Sequence, residues 1–149
     1  MQLNVRRYHD ISCGHRVVGH EGKCKHLHGH NYRVHFTCTA EALDDVGRVI
    51  DFSVIKAKLC MWLEDNWDHR FLMWDQDHAL WPIKNTPRDH PEVDEALDGI
   101  VIIPFNPTAE LMAQYLLDVI GPRQLAGTGV RLVSVTIDET RKCSAEAVL

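Results

Sequence analysis

Residues 31–39 read Asn31-Tyr32-Arg33-Val34-His35-Phe36-Thr37-Cys38-Thr39, and their alternation of apolar and polar side chains predicts a half-buried β-strand. Residues 3–13 alternate in the same way and predict a neighbouring strand. The segment between them contains several Gly and His residues and breaks the alternation. We therefore expect two antiparallel strands joined by a long loop that is rich in chemically active side chains.

Two helices are predicted downstream of this strand pair. From Phe52 to Trp67 the apolar side chains recur every three or four residues, which is typical of an amphipathic helix lying on a sheet. A second helix is predicted to begin with Asn106 as its N-cap and Pro107 as its first residue. It is predicted to end at Gly121-Pro122.

Three more strands are predicted, at residues 100–105, 130–138 and 143–149, with the last two pairing with each other. Residues 74–99 carry three Pro and little periodicity, so they predict a long connection with one short helix at most. The order of elements predicts an α+β fold, in which two helices cover one face of an antiparallel sheet.

Composition restricts the possible classes of protein. The 149 residues predict one domain, 1–149, and 45% hydrophobic side chains are enough to build a core. No apolar run is long enough for a membrane span or a signal peptide, so we expect a soluble, cytoplasmic protein. The net charge of −5 without a basic cluster argues against nucleic acid as a partner. Five Cys without paired spacing favour a reducing compartment.

The chain has no glycine-rich dinucleotide motif, no phosphate-binding Walker loop and no Gly-x-Ser-x-Gly sequence. Dinucleotide redox chemistry, P-loop hydrolysis of nucleotides and serine hydrolysis therefore lack support. The distribution of His is more informative, because seven of the ten lie between His9 and His35.

His28 and His30 form a His-x-His pair at the entry to the second predicted strand, where both imidazoles project from the same face. His15, at the end of the neighbouring strand, is the natural third ligand. Three His without a carboxylate favour zinc, with a fourth position left open as in catalytic sites. The alternative is that these are surface imidazoles on a His-rich loop.

Cys24 precedes His28 by four residues and lies between Lys23 and Lys25. A nearby cation and two Lys favour the thiolate, which can act as a base or a nucleophile when it does not bind the metal. The alternative is that Cys24 completes a closed Cys-His₃ shell, which would make the site structural.

Asp68-His69 follows the first predicted helix and could serve as a proton relay, although His is also common at helix C-termini for electrostatic reasons. Glu139 ends an apolar strand, where a carboxylate can bind a cyclic amidine or guanidine edge through two hydrogen bonds. More commonly such a Glu is only a solvated strand end.

Together these motifs resemble the 6-pyruvoyltetrahydropterin synthase family over nearly the whole chain. The shared motifs, in order, are Gly14-His15-Arg16, Cys24-x-x-x-His28-Gly29-His30, Ile50-Asp51-Phe52, Asp68-His69, Asn106-Pro107-Thr108-x-Glu110 and Glu139-Thr140. The short gap between Cys24 and His28 resembles the 6-carboxytetrahydropterin synthase branch, which belongs to the queuosine and 7-deazaguanine pathway.

The resemblance implies a tunnelling fold (T-fold), in which a homo-oligomer, a hexamer in this family, joins its sheets into a barrel with pterin sites between subunits. It implies that His15, His28 and His30 bind zinc and that Cys24 is the thiolate that abstracts a proton. It implies that Asp68 and His69 form the second acid/base group. Glu139 is implied to anchor the pterin, with Thr108 and Glu110 beside it.

The implied reaction converts 7,8-dihydroneopterin triphosphate to 6-carboxy-5,6,7,8-tetrahydropterin, with release of acetaldehyde and triphosphate. No external redox cofactor is implied, because one side-chain carbon is oxidised as its neighbours are reduced. Three alternatives stay open: the pyruvoyl product, an aldolase-type cleavage to the hydroxymethyl pterin, and a non-catalytic zinc- or pterin-binding module.

Two features depart from the family pattern. The 74–99 connection is longer than is expected for this branch. His20 and His26 lie in the loop between His15 and His28, called here the metal loop, where they crowd the proposed ligands. We interpret these two His as non-ligands, because a fourth His would close the open position. The candidates for triphosphate binding are Arg16, Lys23, Arg70 and Lys142, each of which is more commonly a plain surface charge.

Overall fold

The computed structural model describes residues 1–149, which form a six-stranded sheet in the order β4-β3-β1-β2-β5-β6. The strands are β1 (Asn4–His15), β2 (His28–Ala40), β3 (Phe71–Trp74), β4 (Ile100–Ile103), β5 (Val130–Asp138) and β6 (Ser144–Val148). The two long strands at the centre of the sheet are the pair predicted from the sequence.

The β1–β2 pair is antiparallel and runs from Asn4 opposite Thr39 to His15 opposite His28. Alternate side chains of both strands, among them Ile11 and Val34, are buried on the face that the helices cover. β5 pairs antiparallel with β6, as expected, and also with β2, a pairing that was not predicted from the sequence. The alternation seen in the sequence therefore placed this half of the sheet correctly.

The sheet is mixed rather than wholly antiparallel. β3 was missed in the sequence, and it pairs parallel with both β1 and β4. Its four residues, Phe71–Trp74, are all apolar and therefore show no period of two. A short apolar run directly after a helix cannot be assigned from periodicity alone.

Two long helices cover one face of the sheet. The first comprises Phe52–Ile55, a π-helical turn Lys56–Cys60 and Met61–Asn66, close to the predicted bounds. The second comprises Ala109–Tyr115, a π-helical turn Leu116–Ile120 and Gly121–Gln124. Their buried faces and the inner face of the sheet form one core, with Trp67, Tyr32, Phe36, Leu63 and Met112 among its largest members. None of the helices has the length and apolar content needed to span a bilayer.

The second long helix does not end at Gly121-Pro122, so that prediction was wrong. Gly121 lies inside the helix because it packs against β5, where a Cβ atom on it would lie 2.6 Å from Leu132 Cδ2 and 3.0 Å from Leu132 Cβ. Pro122 is tolerated because it lies in the first turn of the last helical segment, after the π-helical turn. Close packing, and not a helix stop, explains the glycine.

We expect Gly121→Ala to lower the free energy of unfolding by about 1–3 kcal/mol, because the added methyl group overpacks the contact with Leu132. Urea denaturation would measure the difference. Gly99→Ala is the matched control, since the nearest atom to its added Cβ lies 3.7 Å away. Equal stability of the two variants would contradict this explanation of Gly121.

The long connection between β3 and β4 contains two short helices, Trp81–Lys84 and Pro91–Asp98, where at most one was predicted. Both helices have a Pro in their first turn, where the missing N–H costs nothing. The connection joins two parallel neighbouring strands, which requires a crossover of about a dozen residues or more.

Candidate active site

Three imidazoles lie together where β1 ends and β2 begins. The register places His15 opposite His28 and Cys13 opposite His30, so His15 faces the same side as both members of the His-x-His pair. Gly29 lies between the two His, and a Cβ atom there would come within 3.0 Å of the Cys13 carbonyl oxygen. One ligand nitrogen from each His lies within 4.8 Å of the others.

Backbone carbonyls orient two of these rings. The Nδ1 atoms of His15 and His28 each lie 2.6 Å from a carbonyl oxygen, that of Pro107 and that of His26 respectively. Because a carbonyl only accepts, each Nδ1 carries the proton and each Nε2 keeps its lone pair. The same arrangement fixes metal-binding His residues in other proteins.

The Nε2 atoms of His28 and His30 are buried and have no hydrogen-bond partner. A buried polar atom without a partner costs free energy, so such atoms call for an explanation. A divalent cation bound by the nitrogen lone pairs of three neutral imidazoles would remove that cost. Three His nitrogens are a set of ligands that suits zinc. The residues present therefore fit a metal ion bound by His15, His28 and His30.

The pKa of His15 is lowered to about 4, chiefly by burial; the hydrogen bond with the Pro107 carbonyl opposes the shift, and the neighbouring His28 and His30 contribute to it. Burial also lowers the pKa of His30, against an opposing effect of Glu139. His15 and His30 are therefore neutral at pH 7, which is the state that binds a metal.

The depressed pKa of His15 predicts acid-sensitive stability of the chelated, metal-free protein. The unfolded chain binds a proton near pH 6.5 and the folded chain only near pH 4, so stability falls as the pH drops through that window. His15 alone should remove about 3 kcal/mol between pH 7 and pH 4. Urea denaturation of the metal-free protein would measure this loss against His15→Gln, and equal pH dependence of the two proteins would contradict it.

The Asn106-Pro107-Thr108 turn builds the wall behind the His cluster. Asn106 is not the helix N-cap, as the sequence predicted, because Thr108 Oγ1 accepts from Leu111 N at 3.2 Å and caps the second long helix. The Asn106 side chain instead pairs with both backbone groups of Val18, at 3.0 and 2.9 Å. These bonds, with the Pro107 carbonyl on His15, fasten the metal loop to the helix.

A cavity of about 270 Å³ adjoins the cluster. Four residues that the sequence singled out line it: Cys24, Thr108, Glu110 and Glu139. His20 and Cys143 line it as well, and the sequence gave neither of them a role. Glu139 Oε1 lies 3.5 Å from His30 Nε2, which places the cavity directly beside the metal ligands.

Cys24 lies outside the group of side chains that can share one metal ion, which contains His15, His28 and His30 only. His20 and His26 are outside it too. Cys24 is half-buried in the short 3₁₀ turn Lys23–Lys25, and its thiol faces the same cavity as Glu139. The geometry agrees with a three-His site that has an open position and a free thiol beside it.

Asp68 and His69 lie elsewhere in the protomer. They line a separate cleft on the face of the sheet opposite the buried core, together with Ser12 and Asn31. His69 Nδ1 lies 2.7 Å from Asp68 Oδ2, and the His69 side chain is 81% exposed. The backbone of His69 is left-handed, with φ of 57°, which is strained for a residue other than glycine and is common at functional sites.

The Asp68 carboxyl is held in its charged form. Partial burial acts to raise its pKa, but hydrogen bonds from Ser12 N and His69 outweigh burial, so the pKa lies below its usual value. An ionised Asp68 fixes the orientation of the His69 ring, as the sequence interpretation proposed for a relay. The pair does not reach Cys24 of its own chain, since the two line different cavities.

Comparison with known proteins identifies the family. A sequence model described as 6-pyruvoyl tetrahydropterin synthase matches residues 4–148. The 6-carboxy-5,6,7,8-tetrahydropterin synthase of Rickettsia typhi is 33% identical over 145 residues, which cover 97% of this chain and 99% of the relative. A probable 6-carboxy-5,6,7,8-tetrahydropterin synthase of Halobacterium salinarum is 36% identical over 91% of this chain and 79% of its own length.

Solved structures show the same fold. An uncharacterised protein of Wolinella succinogenes superimposes with a TM-score of 0.87 at 24% identity, covering 99% of this chain and 98% of its own. The 6-pyruvoyl tetrahydropterin synthase of Caenorhabditis elegans superimposes with a TM-score of 0.68 at 21% identity, covering 100% and 96%. The chain therefore belongs to the 6-pyruvoyl tetrahydropterin synthase family and has its T-fold.

Proposed function

We propose that this protein is a zinc-dependent lyase that converts 7,8-dihydroneopterin triphosphate to 6-carboxy-5,6,7,8-tetrahydropterin. The observation that carries the proposal is the single cavity that brings Cys24, Thr108 and Glu139 beside three converging imidazoles. Relatives named for this activity, matched over most of their length, and the short gap between Cys24 and His28 support this branch. We place the enzyme in the cytoplasm, in the queuosine and 7-deazaguanine pathway.

The proposed reaction balances without an external oxidant. One water is taken up, the C–O bond to triphosphate breaks, and the bond between the first two side-chain carbons breaks. The carbon that stays on the ring is oxidised to a carboxylate, while the ring and the departing two-carbon unit are reduced. Zinc bound by His15, His28 and His30 supplies Lewis-acid polarisation of the substrate's side-chain hydroxyls.

The roles of the cavity residues follow from their chemistry. Glu139 lines the cavity as a carboxylate and can accept two hydrogen bonds from the amino-pyrimidine edge of a pterin. Thr108 and Glu110 lie at the start of the second long helix and border the same space. Cys24 faces this space without joining the metal ligands, and its thiolate removes a proton from the substrate side chain.

The second acid/base group comes from another copy of the chain. Asp68 and His69 form a hydrogen-bonded pair with an exposed imidazole, but they open onto the face of the sheet opposite the buried core. A homo-oligomer, a hexamer by family resemblance, can place this pair of one subunit at the Cys24 cavity of its neighbour. His69 of the neighbouring subunit then donates or removes the second proton of the reaction, which Cys24 does not transfer.

The test is to incubate the zinc-loaded protein anaerobically with 7,8-dihydroneopterin triphosphate and to identify the pterin product by mass spectrometry while assaying acetaldehyde. We expect 6-carboxytetrahydropterin with stoichiometric acetaldehyde. Formation of the pyruvoyl compound or the hydroxymethyl pterin would agree with the proposed site. It would contradict the assignment to the 6-carboxytetrahydropterin synthase branch. Unchanged substrate, with zinc bound and the oligomer intact, would favour a non-catalytic pterin-binding module.

A further inference from the structure

We propose that Arg16 and Asp77 are positioning residues for Cys24, and that the long β3–β4 connection exists in part to supply the Asp77 carboxylate. This inference rests on the proposed function only where Cys24 is treated as the catalytic base. We use the word clamp for the contacts that Arg16 makes with Asp77 and with the loop that carries Cys24. These contacts can be tested without measuring turnover.

The first part of the clamp is a two-point ion pair between the end of β1 and the connection. Arg16 Nε donates to Asp77 Oδ2 at 2.6 Å, and Arg16 Nη2 donates to Asp77 Oδ1 at 2.8 Å. The Asp77 side chain is only 2% exposed. A buried carboxylate is costly unless it is paired. The two parallel hydrogen bonds from the guanidinium to the carboxylate therefore fix both side chains in one geometry.

The second part of the clamp reaches the loop that carries the thiol. The remaining guanidinium nitrogen, Arg16 Nη1, donates to the Lys25 carbonyl at 3.0 Å. One residue further along the chain, Val17 N donates to the Cys24 carbonyl at 2.8 Å. The backbone on both sides of the Cys24–Lys25 peptide bond is therefore held by the two residues that follow His15.

These contacts matter because little else holds the turn. Lys23–Lys25 is one short 3₁₀ turn with no buried residue and no side-chain cap, so its own packing does not fix the thiol. The clamp ties this turn to a carboxylate that is almost fully buried. A proton-abstracting group must be held within a fraction of an ångström of its target, and small displacements cost large factors in rate.

These contacts engage all three guanidinium nitrogens of Arg16 within the chain and use three of its five N–H donors. By contrast, the ion pairs of Arg88 with Asp94 and Asp98 in the same connection are exposed and touch no part of the site. Exposed pairs of this kind contribute little to stability. They provide a matched control for a charge removed from the connection.

The test compares Asp77→Asn, Arg16→Lys and the control Asp94→Asn in the full-length protein as purified, with metal content and melting temperature measured alongside. Arg16→Lys keeps a positive charge beside the buried Asp77 but cannot donate to both carboxylate oxygens and the Lys25 carbonyl at once. The readout is site-resolved alkylation by iodoacetamide, given as the Cys24 rate relative to the exposed Cys143 rate.

We expect this ratio to rise about threefold or more in Asp77→Asn and Arg16→Lys, because the released turn exposes the thiol, and to be unchanged in Asp94→Asn. In the zinc-loaded enzyme, kcat should fall about tenfold while KM stays within about twofold. If Asp77→Asn does not fold, the alkylation ratio of Arg16→Lys alone tests the proposal.

A ratio in Arg16→Lys that does not rise, in a protein with wild-type melting temperature, would overturn the clamp. If the wild type shows no turnover but the ratio rises as expected, the clamp stands and the proposed function fails. The two outcomes are thereby separated.

Discussion

Cys24→Ala is expected to lower kcat by about 10³-fold while zinc remains bound at the wild-type stoichiometry. The thiol lines the cavity next to Glu139, but it is not among the three side chains that converge on one point. Its removal therefore takes away the base and leaves the metal ligands intact. Acetaldehyde release and metal analysis on the same sample would measure both effects.

Cys143→Ala is the matched control, because its thiol lines the same cavity at the turn between β5 and β6. We expect that variant to keep most of the activity. Loss of zinc from Cys24→Ala would contradict the assignment, since it would mean that the thiol completes a closed structural shell.

His28→Ala is expected to abolish both metal retention and turnover. The variant removes one of three ligands from a site in which the remaining Nε2 atoms cannot enclose the ion. Loss of an outer-shell partner already costs about 10–100-fold in metal affinity, and loss of a ligand costs more. Dialysis against a chelator followed by metal analysis would measure the loss.

His26→Ala is the control for this experiment. The His26 side chain is not a ligand, and the group that orients His28 is the His26 backbone carbonyl, which the substitution preserves. We expect wild-type zinc content in that variant. Equal loss of zinc from both variants would place His26 in the metal shell and remove the open position.

The sequence predicted the parts of the fold that local patterns encode. Alternation identified β1 and β2, and a spacing of three and four identified the first long helix. Because the strand register follows from alternation and turn position, the convergence of His15 with the His-x-His pair was also predictable. The single domain and the roles of all the candidate site residues, Cys24 and the three His included, remain predictions.

What the sequence could not show depends on contacts between distant segments. The Asn106 side chain binds Val18 across 88 residues, and nothing local distinguishes that use from an N-cap. Asp77 is one of several Asp in an irregular connection, and only the fold shows that it is buried beside Arg16. β3 was hidden because its four apolar residues have no period.

The same reasoning applies to the placement of Asp68 and His69. Their sequence predicts a relay, but only the structure shows that they face away from Cys24 of the same chain. The proposed enzyme therefore requires that Cys24 of one subunit and His69 of another act on one substrate molecule.

Subunit complementation between Cys24→Ala and His69→Ala tests this requirement most directly. Each variant alone should be nearly inactive, and oligomers reassembled from an equal mixture should recover about a quarter of wild-type acetaldehyde release, because about one site in four then holds both intact groups. A mixture no more active than its parents would contradict a site shared between subunits.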